Sequence, residues 1–490
     1  MKKSVLLIVV VCAFVASGFA QQRLVIQKNL ESRKLDAAFV RDAYYLGQYD
    51  GLYCFVGKEG RGRMKLVMSD HNMEPMRVME LPESSVNCKL MAGSIDGNRA
   101  GLLLVDNDER SRTLIYTSCF DLDSLRPADG GRGLVVADSL PFGRKDRCLV
   151  WAGTSPNAKY NGLVVITEFT ERKQYSARAV LFDSQMKELW HYDYAMGSMN
   201  DIAVTDDGSI VTLGYEPEGE ETHFVFNIMD ERRGDTYDAI IKCEPIRELR
   251  LAGVQGSHIM GVGLFNTASY HSADMCGGVV AMSFDKDSAI LTGFTMRPFQ
   301  NEDINVLYNK PTKKIQRDQE VELASIVGSV MTGNGAIVAV GRNFRIQHVE
   351  DNSSVTYSYQ RVGIHLLAVD TLGRVSWTRN IRRNDLQKHD DYLLKVGMMQ
   401  AYGKTYLIKS EHRKNPATYS IAKETKEFKV DAKGNLAVYT IGADGEIEKA
   451  VLEQKTPFAF VRSVRRDDGS FALFTQNGSR SRIVELKIEN

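Results

Sequence analysis

The chain is 490 residues long, 43% apolar and 25% charged, with 62 basic side chains set against 62 acidic ones. That balance excludes recognition of nucleic acid or another polyanion through the overall field and leaves only local, charge-driven contacts. A chain of this length holds either two or three domains or a single array of repeats, so internal repetition is the first thing to look for.

Residues 1–20 read as an export signal: Lys2 and Lys3, an apolar run from Val5 to Val15, then Gly18 and Ala20 before Gln21. The run is too short to cross a bilayer, and no later stretch qualifies. The expected product is exported to the periplasm or cell surface with no transmembrane segment after signal removal. Cys12 follows Val9, Val10 and Val11 where a lipid-attachment site has a small residue, which argues against a lipid anchor. Residues 21–490 form one domain on the pattern below. Cys54, Cys88, Cys119, Cys148, Cys243 and Cys276 contain no C-x-x-C pair and read as small apolar side chains on strands, with one or two disulfides as the alternative.

In chain order, a glycine turn between two apolar runs recurs at Asp50-Gly51, Asp96-Gly97, Asn161-Gly162, Asp207-Gly208, Gln255-Gly256, Asn334-Gly335, Tyr402-Gly403 and Asp468-Gly469. Asp-Gly and Asn-Gly suit two-residue hairpins because such turns need positive φ, which glycine adopts without steric cost. The runs that follow, such as Leu102–Val105, Leu163–Ile166, Ile210–Leu213 and Ile337–Val340, are apolar throughout, as strands covered on both faces are. Each copy continues into a third strand, a polar turn and a fourth strand. Two of these later turns are close relatives, Asp183 to Trp190 and Asp370 to Trp377, with looser versions at Phe284-Asp285 and Ala443-Asp444-Gly445.

No pattern of period 3.6 and helical length interrupts the series. The fold expected is all-β: a single β-propeller of about eight four-stranded blades, with seven as the alternative. The last unit supplies only three strands, and Arg23–Lys28 has the length and residue types of the fourth. The ring is therefore expected to close by the N-terminal strand pairing with the C-terminal blade, which removes an exposed sheet edge.

The Asp-x-x-Gly-x-x-x-Trp hairpin at Asp370 to Trp377 resembles the blade repeat of quinoprotein-like (PQQ-like) propellers, and the leader followed by Gln21-Gln22 resembles exported proteins of Bacteroidota. The resemblance implies a blade fold and no specific family. It implies no cofactor: the quinoprotein dehydrogenases use a calcium-binding set and often a vicinal disulfide, and neither has a counterpart here.

Strand alternation puts the first-to-second and third-to-fourth turns on one face of the disc. The second-to-third loops and the connections between blades lie on the other. Length is concentrated on that second face in units five to seven, at Asn266–Gly277, Phe299–Glu320, Asn343–Arg361 and Glu411–Glu427. These segments interleave aromatic and cationic residues, and Tyr270, His271, Tyr308, Arg317, Arg345, His348, Tyr357, Tyr359, Arg361 and His412 are the candidate partner-binding residues. Trp190 and Trp377, at the same position in their repeats, are assigned to packing.

The nine histidines have no ligand-like spacing, so no metal site is assigned. The adjacent carboxylates Glu302-Asp303 and Asp390-Asp391 would point apart on a strand and read as solvated. No nucleophile, P-loop or dinucleotide fingerprint stands in a fitting context. The reading that follows is a non-catalytic exported scaffold binding an envelope protein or glycan. The alternative is a glycan-active hydrolase or lyase with acids assembled around the propeller axis, which leaves the enzyme question open.

Overall fold

The computed structural model of the protein describes Phe39 and residues 23–32, 43–58, 62–70, 74–81, 87–107, 112–128, 135–141, 147–169, 174–194, 199–218, 221–266, 275–310, 321–350, 354–388, 393–422, 424–430, 432–465, 470–477 and 480–489. Eight antiparallel sheets succeed one another along the chain. Blades 1 to 7 occupy residues 44–80, 89–141, 147–194, 201–242, 246–298, 324–388 and 397–456. Blade 8 is built from Ala459–Arg465, Phe471–Asn477, Arg480–Glu489 and, as its fourth strand, Arg23–Ser32. That last pairing runs from Arg23↔Glu489 to Ser32↔Ser481 with one irregularity between Ile26 and Lys28. The N-terminal strand thus closes the ring in the place the missing fourth strand required.

The apolar runs are the middle strands, covered by the blade on either side. Leu103 of blade 2 packs with Leu163, Val180 and Phe182 of blade 3, while Val164 and Ile166, on the other face of blade 3, pack with Val204 and Ile210 of blade 4. Across the closure, Tyr53 and Phe55 of blade 1 meet Val461, Ala472, Phe474 and Ile483 of blade 8, and Tyr53 donates its hydroxyl proton to Glu485 Oε1 at 2.9 Å. Each such fully buried Leu, Ile or Phe side chain contributes on the order of 1.5–3 kcal/mol. Cys54, Cys88, Cys119, Cys243 and Cys276 are free thiols, and burial pushes Cys54 up to about 12.

Six of the eight glycine turns fall between the first and second strands of blades 1, 2, 4, 5, 6 and 7. Asp50-Gly51 and Tyr402-Gly403 have positive φ at both residues, as a type I′ hairpin demands. Asp468-Gly469 lies outside the described residues. Asn161-Gly162 is not a turn: both residues lie inside the strand Tyr160–Phe169, and the chain reverses at residues 155–159. Asn161 is fully buried, with its amide donating to Ser94 Oγ at 3.0 Å and accepting from Thr154 Oγ1 at 2.9 Å.

Two other expectations change. A short helix, Asn301–Leu307, follows blade 5; at seven residues it is too short to show a period, but Ile304, Val306 and Leu307 are buried. Asn343–Arg361 is not a loop, because residues 343–350 and 354–361 lie inside two long paired strands of blade 6.

Candidate functional site

Elsewhere the second and third strands of a blade are six to ten residues long, but in blade 6 they are Gly335–Glu350 and Ser354–Asp370, of 16 and 17 residues. The surplus forms a hairpin arm on the loop-rich face, paired from Asn343↔Arg361 through Arg345↔Tyr359 and Gln347↔Tyr357 to Val349↔Val355. Valine, threonine and tyrosine in the returning strand favour the extended form. The Arg345 guanidinium lies 3.8 Å from the Tyr357 ring, and His348 Nε2 is 2.7 Å from Ser358 Oγ. Ile346 and Val355 are exposed, at 37% and 43%.

The root of the arm is fastened. Arg342 is buried with its guanidinium 3.6 Å from the Tyr308 ring and 4.1 Å from that of Phe344, and its Nε donates to the Glu322 carbonyl at 2.8 Å. Burial lowers its pKa to about 10, which leaves it charged. Tyr359 packs with Leu393, Leu394, Phe428, Val430 and Ala459. The fourth strand, Val375–Lys388, runs beside the arm and takes Phe428–Lys429 as a parallel neighbour.

Of the residues singled out in the sequence, Arg345, His348, Tyr357, Tyr359 and Arg361 are brought together on this arm. Tyr308 lies at its root beneath Arg342. His412 ends a strand of blade 7, where its Nδ1 accepts the Lys414 amide at 3.0 Å; burial and the cations Lys426, Arg413 and Lys414 lower its pKa. Tyr270, His271 and Arg317 lie outside the described residues.

Sequence reasoning missed a buried polar network under the arm, where blades 6 and 7 meet. Asp303 of the short helix, read as solvated, is buried with Oδ1 3.2 Å from His365 Nδ1 and 2.8 Å from Asn380 Nδ2. Burial alone would raise its pKa, but His365, Asn380 and the Gln300 amide bring it down to about 2. Arg383 donates to Asp385 at 2.6 Å and to the Leu394 carbonyl at 2.6 Å. In blade 7, Glu411 lies 3.3 Å from Lys409 Nζ and 2.6 Å from Lys449 Nζ, and accepts the Tyr439 hydroxyl at 3.0 Å. Burial opposes its charge, yet the two lysines hold the carboxyl below its ordinary range. The partners come from five strands and a helix, so no local motif announces them.

On the opposite face stands the turn Thr205-Asp206-Asp207-Gly208-Ser209. Asp207 accepts from the Thr205 hydroxyl, from Ser209 Oγ at 3.0 Å and from Lys286 Nζ of blade 5 at 2.8 Å. Partial burial opposes its charge, but these donors bring it down to about 2. Two clefts of about 420 Å³ flank the turn. The first, between blades 3 and 4, is lined by Tyr160, Leu189, Trp190, Asp207, Arg232 and Lys286 among others. The second opens at the axis on the first strands of blades 3 to 6, with Ile202, Val204, Val254 and Met331 in its wall. Its Asp206 carboxylate accepts the Asn157 amide at 2.9 Å. Among the described residues this mouth is chiefly aliphatic and brings no set of carboxylates together with an arginine. No group of His, Cys, Asp and Glu there could hold a metal ion.

No protein-family model matches the chain. No curated protein matches it either. Among solved structures it is similar to the WD40 domain of SCAP from fission yeast, at 10% identity over 94% of this chain and 98% of that one, with a TM-score of 0.37. It is similar to the β-propeller domain of the Trilobed protease from Pyrococcus furiosus, at 11% identity over 87% and 99%, TM-score 0.36. Prolyl oligopeptidase B from Galerina marginata aligns at 9% identity over 89% of this chain, TM-score 0.38, and the chain spans 55% of that enzyme's length. These superpositions are loose, and the strand order is what carries the fold: the chain is an eight-bladed, all-β propeller closed by its N-terminal strand.

Proposed function

We propose that the protein is a non-catalytic, exported β-propeller that binds another component of the bacterial envelope, a protein or a glycan, through the arm of blade 6. The observation that carries this reading is the arm itself. A hydrogen-bonded hairpin that extends one blade well past its neighbours while exposing Ile346 and Val355 adds little to the core, and exposed apolar side chains beside a cation–aromatic pair are what a partner surface uses. The fastened root supplies the rigidity that a binding element needs. Export rests on Lys2, Lys3 and the apolar run to Val15. Kinship with quinoprotein-like propellers is read at the level of the blade, without the cofactor, and a Bacteroidota source fits the leader.

The test is a variant carrying Arg345→Ala, Ile346→Ser, Val355→Thr and Tyr357→Ala, used as bait for affinity capture from periplasmic and envelope fractions. A discrete partner recovered with the parent chain should be lost from the variant, while the unfolding midpoint stays within about 3 °C, since exposed substitutions change stability by roughly 0.5 kcal/mol or less. Undiminished capture by a folded variant removes the arm from the binding site.

A further inference from the structure

We propose that the cleft between blades 3 and 4 on the turn face is a saccharide-binding site with Trp190 as its stacking platform. It lies on the face opposite the arm and stands independently of the reading above. In blade 6 the equivalent Trp377 is tied to the next blade, although it still borders a smaller cleft of about 270 Å³: its Nε1 donates to the Ala443 carbonyl at 2.8 Å, and Gly445 lies so close that an added Cβ would be 2.7 Å from the indole. In blade 4 the corresponding turn, residues 230–233, docks elsewhere. The glycine that follows it, Gly234, seats against the ring of Tyr192, two residues beyond Trp190 on the same strand. The Trp190 side chain makes no hydrogen bond among the described residues; it packs in part on the apolar cluster between blades 3 and 4 and forms part of the cleft wall.

Trp190 and Tyr160 supply aromatic surface, and the rim supplies donors and acceptors side by side: Lys286 and Arg232, Asp207 and Glu231. Hydroxyl groups both donate and accept, so a mixed rim around an aromatic ring suits a sugar. A phosphate or carboxylate ligand would face the rim acids, and Lys286 is already paired with Asp207 at 2.8 Å. A cation would face Arg232 and Lys286. A volume of about 420 Å³ lies within the range of ~300–1,000 Å³ for small-molecule sites. Asp207 is fixed by Thr205, Ser209 and Lys286, so the acceptor is in place before a ligand arrives.

The experiment is saturation-transfer NMR and tryptophan fluorescence titration of the full chain with neutral trisaccharides (maltotriose, cellotriose, mannotriose and chitotriose), with inorganic phosphate as a competitor. At least one trisaccharide should bind at or below about 10 mM. Trp190→Ala should weaken that binding about tenfold or more, and Arg232→Ala and Lys286→Met should weaken it separately, which keeps the test open if the tryptophan variant folds poorly. The arm variant should bind as the parent does. Retention on insoluble starch, cellulose or chitin as well would mark a chain-binding site; trisaccharide binding alone would mark a site for free sugars. No binding by any member of the panel, binding that survives Trp190→Ala, or displacement by phosphate would overturn the proposal.

Discussion

Trp377 and Trp190 hold the same place in blades 6 and 3, each seven residues after an aspartate that organises the turn, yet they meet different fates. Asp370 Oδ1 accepts the amides of Leu372 and Arg374, both at 2.9 Å, and Asp183 Oδ1 accepts those of Gln185 and Lys187 at the same distance. Gly373 and Met186, at the same step of the two turns, both have positive φ. The local structure is therefore shared, and the difference comes from the neighbouring blade. Blade 7 bonds Trp377 through the Ala443 carbonyl, and the ionic network of Lys409, Glu411 and Lys449 lies within that blade. Blade 4 seats on Tyr192 and leaves Trp190 in the wall of a cleft. Both rings are partly buried against the apolar cluster between their blade and the next, so the repeat fixes where the side chain points and the next repeat decides whether its indole N–H is bonded.

The most severe way to perturb the blade 7 side of the contrast is to unbalance its ionic network. Glu411→Gln leaves two lysines, each with its side chain at least 96% buried, without their anion, and should lower stability by about 3–5 kcal/mol in urea unfolding. A loss below about 1 kcal/mol would mean that the network contributes little to blade 7. Next in size, Trp377→Ala should cost roughly 2–3 kcal/mol, below the range for a fully buried tryptophan because its ring is only partly buried. Trp190→Ala should cost less, roughly 1–2 kcal/mol, because its ring packs on an apolar cluster but makes no hydrogen bond to the next blade, and equal losses would erase the distinction between the tethered and the untethered ring.

A further test concerns acid. Asp303, at about 2, lies below the ~3.9 of an unfolded aspartate, so its contribution is fully present above about pH 4 and is lost as the pH falls towards 2. It amounts to about 2 kcal/mol for this buried group. Asp303→Asn should flatten the stability curve over that window, whereas Asp207→Asn should flatten it less, because the Asp207 side chain is 54% exposed and solvent screens its pairing. Identical slopes for the two variants would count against the assignment.

Much of the fold was legible in the sequence. Glycine turns at near-regular spacing and strands apolar on both faces name a propeller, and a three-stranded last unit names its closure. Asn161-Gly162 misled because a buried asparagine bridging two strands looks, in a dipeptide, like a turn asparagine; Ser155-Pro156-Asn157, just upstream, make the real turn. The arm read as a loop because both faces of its tip are wet, so Arg345, Gln347 and His348 break the alternation by which half-buried strands are recognised. Half of the candidate residues nonetheless lie on it. The buried network and the Trp190 cleft were beyond reach, since the first depends on which strands and helix meet in space and the second on which residues of two blades face one another.

The most direct test of the arm as the binding element is photo-crosslinking in intact cells. A photo-reactive amino acid would be placed at position 346 on the arm and, as a control, at position 78 on the outer strand of blade 1, where Val78 is 51% exposed. The expected result is a discrete adduct of constant mass from position 346 and none from position 78. Adducts of equal yield from both positions, or from position 78 alone, would contradict it.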